Sequence, residues 1–205
     1  MCRGRGGGIL GRALEALLID WGGVLTTSML DSFDAFQARE GPDVRRAFRE
    51  DPSALADLEC GRIDLATFER RLARQLDVPA EGLARRLTQD VQPDTAMREA
   101  VAHHRAQGIR TALVSNSWRA EDYDVDDLFD AIVLSGELGI RKPDPEIYLV
   151  ATRRLGVAPD QCVFVDDLGG NLKPAKALGM TTIRHVTTSE TVAHLKRLLS
   201  SKRPS

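Results

Sequence analysis

Four places in this 205-residue chain put a reactive side chain at the end of an apolar run or in a loop behind one. Asp20 closes Leu17-Leu18-Ile19 and is followed at once by Trp21-Gly22-Gly23. Ser115-Asn116 closes Thr111–Val114, Lys142 lies in the polar stretch Arg141-Lys142-Pro143-Asp144, and Asp166-Asp167 closes Cys162–Val165. A carboxylate, a hydroxyl, a lysine and an acidic pair are a workable set for phosphoryl transfer, which needs a nucleophile and positive charge to offset the phosphoryl oxygens. The acidic pair together with Asp20 suits Mg²⁺, a hard cation that prefers oxygen ligands. On this reading Asp20 attacks phosphorus, an aspartyl-phosphate forms and water breaks it down. Ser115 donates a hydrogen bond to a phosphoryl oxygen.

Each part also has a plainer reading. Asp20 can cap a strand-to-turn junction, Ser115-Asn116 can cap the next helix, and a lysine beside Pro143 can simply be solvated. Asp166-Asp167 is harder to dismiss, because adjacent carboxylates repel unless a metal or a base lies near. His103-His104 sit in a helical stretch, where adjacent residues face different directions, and read as surface or packing residues rather than ligands. His185 has no assigned role. Gly6–Gly11 fits the spacing GxGxxG but precedes the first strand instead of following one, so it reads as a leader.

These groups need elements to bring them together. Residues 15–20 read as a strand. From 29 to 90 no strand-like run occurs; helical spacing appears instead, strongest in Leu65-Phe68-Leu72-Leu76 and Leu83-Leu87. This predicts four or five short helices, with the tight connection Glu59–Ile63 between two of them. After Pro93 helix and strand alternate. The pattern predicts helices near 94–107, 117–129, 145–155, 171–178 and 192–199, strands at 111–114, 131–134, 162–165 and 181–184, and a polar loop from Gly136 to Pro145. Such alternation predicts an α/β, Rossmann-like parallel sheet whose strand ends share one edge. The expected organisation is a core from 13–28 and 91–200, a helical cap at 29–90, and flexible termini at 1–12 and 201–205.

Net charge is only −2, with arginines interleaved among acids. That gives no bulk signal for nucleic acid or for a membrane surface. Cys2, Cys60 and Cys162 are odd in number and far apart, which fits free thiols in a reducing compartment, with Cys162 in the core. No apolar run approaches the length of a membrane span. A cytoplasmic protein follows as the expectation. A homodimer is compatible with the sequence, which carries no feature that requires one.

The order of motifs resembles the haloacid dehalogenase superfamily from about Leu17 to Leu199. The stretch from Val163 to Lys176, with Ser115-Asn116-Ser117-Trp118, is most similar to the N-terminal phosphatase domain of soluble epoxide hydrolases and to the related domain of acyl-CoA dehydrogenase-like proteins. The resemblance implies a C1-type cap, Mg²⁺ dependence and hydrolysis of a small phosphorylated metabolite. By position it makes Asp20 the nucleophile, and it makes Ser115, Asn116, Lys142 and Gly23 the phosphate-binding set. Asp20, the Gly22 carbonyl, Asp166 and Asp167 become the metal ligands, with Asp167 the more direct of the pair. It also places substrate selection in the Glu59–Ile63 loop.

One departure carries weight. Phosphatases of this kind usually have a second aspartate two residues after the nucleophile, as general acid. Here that position is Gly22. The carbonyl for the metal remains, but the acid is missing, and general acid–base catalysis is worth about 10²–10⁴-fold. A slow phosphatase is therefore expected, or one limited to good leaving groups, or one whose acid comes from the cap or the substrate. The alternative is a phospho-ligand-binding or regulatory module, with a 2-haloacid dehalogenase third, since carbon–halogen displacement leaves the acidic pair unexplained.

Overall fold

The computed structural model describes residues 13–117 and 127–200. Five strands form one wholly parallel sheet: β1 (Ala16–Ile19), β2 (Arg110–Ser115), β3 (Ala131–Leu134), β4 (Cys162–Asp166) and β5 (Thr181–Arg184), in the order β3-β2-β1-β4-β5. Helices are α1 (Met29–Glu40), α2 (Val44–Glu50), α3 (Pro52–Glu59), α4 (Leu65–Leu76), α5 (Leu83–Thr88), α6 (Thr95–Ala106), α7 (Ser135–Leu138), α8 (Pro145–Leu155), α9 (Gly169–Ala177) and α10 (Thr188–Leu199).

Successive strand residues point to opposite faces, and both faces are covered. Leu17, Ile19, Leu113, Val163, Val165 and Ile183 pack with Met97 and Val101 of α6 and with Leu195 and Leu199 of α10. Ala16, Leu18, Ala112, Val114, Cys162 and Phe164 turn the other way, onto Ile147, Tyr148, Ala151 and Leu155 of α8 and Ala175 of α9. Burial on both sides is why these strands read as near-continuous apolar runs. β2 and β3 are laid to one side of β1, and β4 and β5 to the other. The chain thus reverses its direction across the sheet between β1 and β4, the position where open α/β sheets form a crevice at their carboxyl edge.

The helices α1–α5 form an inserted cap with a cluster of its own, including Phe36, Leu58, Phe68, Leu72 and Leu83. α4 shows why this stretch is helical. Phe68, Leu72 and Leu76 fall on one buried face, and the Asp64 side chain accepts from the Thr67 N–H at 2.7 Å at its start. The chain segments leading into and out of the cap lie side by side. Thr26 and Pro93 form an antiparallel bridge. The Thr27 N–H donates to Gln92 O at 2.8 Å, the Gln92 N–H to Thr27 Oγ1 at 2.9 Å, and the Asp94 N–H to Leu25 O at 2.9 Å.

Three details differ from expectation. α7 occupies the start of the expected polar loop; four residues are too few to display a period. α9 begins at Gly169 and α10 at Thr188, both earlier than expected. The first turn of α10 (Thr188-Ser189-Glu190) is polar, so apolar spacing becomes visible only from Val192. The helix expected near 117–129 falls mostly on 118–126, outside the described residues, as do Cys2, the GxGxxG-like stretch and the last five residues. Cys60 and Cys162 are buried free thiols, and burial pushes the Cys162 thiol up to about 12. No described helix is long and apolar enough to cross a membrane.

Candidate active site

Asp20 directly follows β1 and Asp166 ends β4. Ile19 pairs with Val165, and the Asp20 N–H donates to Val165 O at 3.0 Å, so the two carboxylates leave neighbouring strand ends into one crevice. Lys142 bridges them. Its Nζ lies 2.7 Å from Asp20 Oδ1 and 2.8 Å from Asp166 Oδ2, and the residue is 1% exposed. An ammonium so deeply buried is tolerable only when paired. Burial alone would lower the Lys142 pKa, but the combined pull of Asp20 and Asp166 holds it above the usual lysine range.

Asn116 fixes the main chain that carries this lysine. The Lys142 N–H donates to Asn116 Oδ1 at 2.8 Å, and Asn116 Nδ2 donates to Lys142 O at 3.1 Å. A loop after α7 is thereby stitched to the end of β2, 26 residues earlier. The Asn116 amide thus holds Lys142, and its second N–H is one that Lys142 does not use. Ser115, at the tip of β2, is buried at the same sheet edge.

Asp166 is fully buried and well supplied with donors. Its Oδ1 accepts from the Leu168 N–H at 2.8 Å, and Asn171 Nδ2 lies 3.0 Å from both of its oxygens. Tyr148 Oη donates in turn to Asn171 O at 2.7 Å, which links α8 to the first turn of α9. Neither Asn171 nor Tyr148 stands out in the sequence. The available signal was an amide side chain in the first turn of the helix that follows an acidic strand end.

Asp167 is half-buried, and burial together with the neighbouring Asp166 raises its pKa. Its side chain depends on Gly23. A Cβ at Gly23 would lie 2.7 Å from Asp167 Oδ2, and Gly23 has φ +72°. The Gly23 N–H donates to Thr26 Oγ1 at 3.3 Å, and the missing Cβ leaves room for Asp167. Gly22 is different: a Cβ there would meet nothing within 4 Å, and its φ is not positive.

Ligand oxygens of Asp20, Asp166 and Asp167 all lie within 4.8 Å of one another. Three carboxylates and one ammonium leave an excess of negative charge. Burial pushes Asp20 up to about 7 despite Lys142 beside it, with Asp166 adding to the rise. The donor set therefore fits a hard divalent cation, whose charge would keep all three carboxyls ionised.

The cap reaches this edge through the end of α3. Ser135 Oγ, fully buried, donates to Glu59 O at 2.5 Å and accepts from the Ser117 N–H at 2.9 Å. The Glu59 carboxylate is itself buried, with Oε2 3.0 Å from Arg141 Nε, next in the chain to Lys142. A Cβ at Gly61 would come within 3.1 Å of Gly136 O. Glu59–Ile63 thus meets the core at α7 and the lysine loop, a contact spanning some 80 residues of sequence. His103 is exposed and His104 buried, both on α6, away from the carboxylates.

The sequence profile of haloacid dehalogenase-like hydrolases matches residues 14–179. Bifunctional epoxide hydrolase 2 of Rattus norvegicus is 33% identical over 119 residues, 53% of this chain and 21% of that protein. A phosphorylated carbohydrates phosphatase of Thermotoga maritima is 26% identical over 196 residues, 86% of this chain and 87% of that protein. The chain thus spans about a fifth of the epoxide hydrolase and most of the phosphatase. A haloacid dehalogenase family enzyme from Bacteroides thetaiotaomicron, solved in complex with magnesium and inorganic phosphate, superposes with a TM-score of 0.66. It is 23% identical, and the match covers 85% of this chain and 95% of that one.

Proposed function

The chain belongs to the haloacid dehalogenase-like hydrolases, and from that premise we propose that it is a Mg²⁺-dependent phosphomonoester hydrolase acting on a small phosphorylated metabolite through Asp20. The observation that carries this reading is the bridge from Lys142 Nζ to Asp20 and Asp166, with Asp167 completing a carboxylate trio. A dedicated buried cation between two acids has little purpose in a mere strand-to-turn junction. The Thermotoga maritima phosphatase, matched over most of both chains, supports the same direction.

Asp20, Asp167 and the Gly22 carbonyl would hold Mg²⁺, which when bound neutralises phosphate charge and keeps the carboxylates ionised. Asp166 has its oxygens engaged by Lys142, Leu168 and Asn171. Its part is to seat Lys142 and to complete the acidic set. Lys142 keeps Asp20 oriented and offers its ammonium to the phosphoryl oxygens. Ser115 and Asn116 supply donors from the tip of β2. Asp20 attacks phosphorus, the bond to the ester oxygen breaks, and a water later displaces Asp20. The helical insert at 29–90 acts as the cap that selects the organic part of the substrate.

Hydrolysis of 4-nitrophenyl phosphate with and without Mg²⁺ tests this. Turnover should require Mg²⁺ and fall by about 10⁴-fold or more in Asp20→Asn. Persistence of parental turnover in that variant would sink the mechanism. A second reading is favoured by one residue, Gly22: a module that keeps the fold and binds a phosphorylated ligand without turning it over. Phosphate binding by calorimetry with no turnover of any ester would select it.

A further inference from the structure

We propose that Glu59, carried on the cap, supplies the leaving-group proton that position 22 cannot. The inference rests on the phosphatase reading above. Among the described residues, Glu59 is the one acidic side chain of α1–α5 that is buried. It lies at the end of α3, where Ser135 Oγ grips its carbonyl at 2.5 Å. The side chain turns to the loop that carries Lys142, with Oε2 3.0 Å from Arg141 Nε. That contact lacks the direction of a hydrogen bond, and both atoms are otherwise buried without a partner among the described residues.

A buried carboxylate oxygen that has an ion-pair neighbour but no hydrogen bond is costly to keep for packing alone. It is also close enough to Asp20 and Lys142 for their charges to act on it. Burial pushes its carboxyl up to about 7, against the pull of Arg141 and Lys142 and helped by Asp20. Near neutrality it therefore holds a proton for part of the time, as a general acid must. Position 22 has space above it and no side chain to fill it.

The proton ledger closes with these groups. An Asp20 oxygen bonds to phosphorus, and the bond from phosphorus to the ester oxygen breaks. The departing oxygen takes the Glu59 proton and leaves as the alcohol. The Glu59 carboxylate then accepts a proton from water as that water attacks phosphorus and the bond from phosphorus to Asp20 breaks. Glu59 is again protonated, and Asp20 and phosphate are released.

The test uses the full chain with Mg²⁺ and two esters. 4-Nitrophenyl phosphate has a weakly basic leaving group; phenyl phosphate has one that gains from a proton. Glu59→Gln keeps the shape and removes the proton. We expect kcat on phenyl phosphate to fall about 10²-fold or more, kcat on 4-nitrophenyl phosphate to fall far less, and KM to move little. The alkaline limb of the phenyl phosphate pH profile should disappear. Adding Gly22→Asp to Glu59→Gln should restore phenyl phosphate turnover. Equal losses on both esters, or none on either, overturn the role of Glu59 while leaving Asp20 as nucleophile. A parent inert towards both esters overturns both readings. Arg141→Gln breaks the same cap contact but spares the proton; if it reproduces the differential loss, the contact and not the proton is responsible, and the proposal falls.

Discussion

Gly22 and Gly23 are neighbours with opposite requirements. Gly23 must be glycine, because φ +72° is costly for any residue with a Cβ and because that Cβ would strike Asp167 Oδ2 at 2.7 Å. Gly23→Ala should lower stability by about 1–2 kcal/mol and reduce Mg²⁺-dependent turnover, measured by urea unfolding and by ester hydrolysis on the same preparation. Parental values for both would mean that Asp167 has no fixed place. Gly22 carries no such constraint. Gly22→Asp should fold normally and, in the Glu59→Gln background where the cap acid is gone, raise kcat on phenyl phosphate by about 10²-fold, the low end of what a general acid contributes. A faithful fold with unchanged kcat would show that proton supply is not limiting.

At the scale of elements, α6 holds a titratable group away from the site. His104 is buried, and neither ring nitrogen has a hydrogen-bond partner among the described residues. Burial, then the charges of His103 and Lys196, lower its pKa below the usual 6.5. The unfolded chain therefore binds this proton first. The stability gained from neutral His104 is complete above about pH 6.5 and is lost as pH falls through that value towards the folded pKa. Urea midpoints measured from about pH 7 to 5 should decline with acid in the parent and less steeply in His104→Leu. His185, shifted the same way by burial, keeps some slope in the variant. Equal slopes would remove His104 as a cause.

Elements also explain what the chain discloses unaided. Asp20 and Asp166-Asp167 are legible because strands buried on both faces read as apolar runs, so a charge at their end stands out. α4 is legible because its apolar face is periodic. Asn171, Ser135 and the grip of Asn116 on Lys142 are not, because each depends on a partner brought close by tertiary structure. A serine or asparagine looks the same whether it caps a helix or holds a lysine loop. Glu59 lies in the stretch to which the family resemblance assigns substrate choice, but its burial against Arg141 has no local signature.

For the whole molecule, the described residues join the cap to the core at the paired connecting segments and at the seat of α3 on Ser135. Ser135→Ala removes the donor to Glu59 O and the acceptor for the Ser117 N–H. It should cost about 1–3 kcal/mol and speed amide exchange at Cys60–Ile63, while the strands exchange as before. Uniform acceleration across the sheet would place the loss in the core instead. The first of the two junctions reaches further. Because Leu25–Thr27 and Gln92–Asp94 are already hydrogen-bonded side by side, the insert leaves the sheet and returns to it at nearly one point. The cap is thus a closed loop hung from a fixed clasp. Exchanging it for another helical insert of different length would leave Asp20, Lys142 and Asp166 where they are but carry Glu59 away, so the nucleophile is inherited with the sheet, and the proton donor and the choice of substrate with the insert.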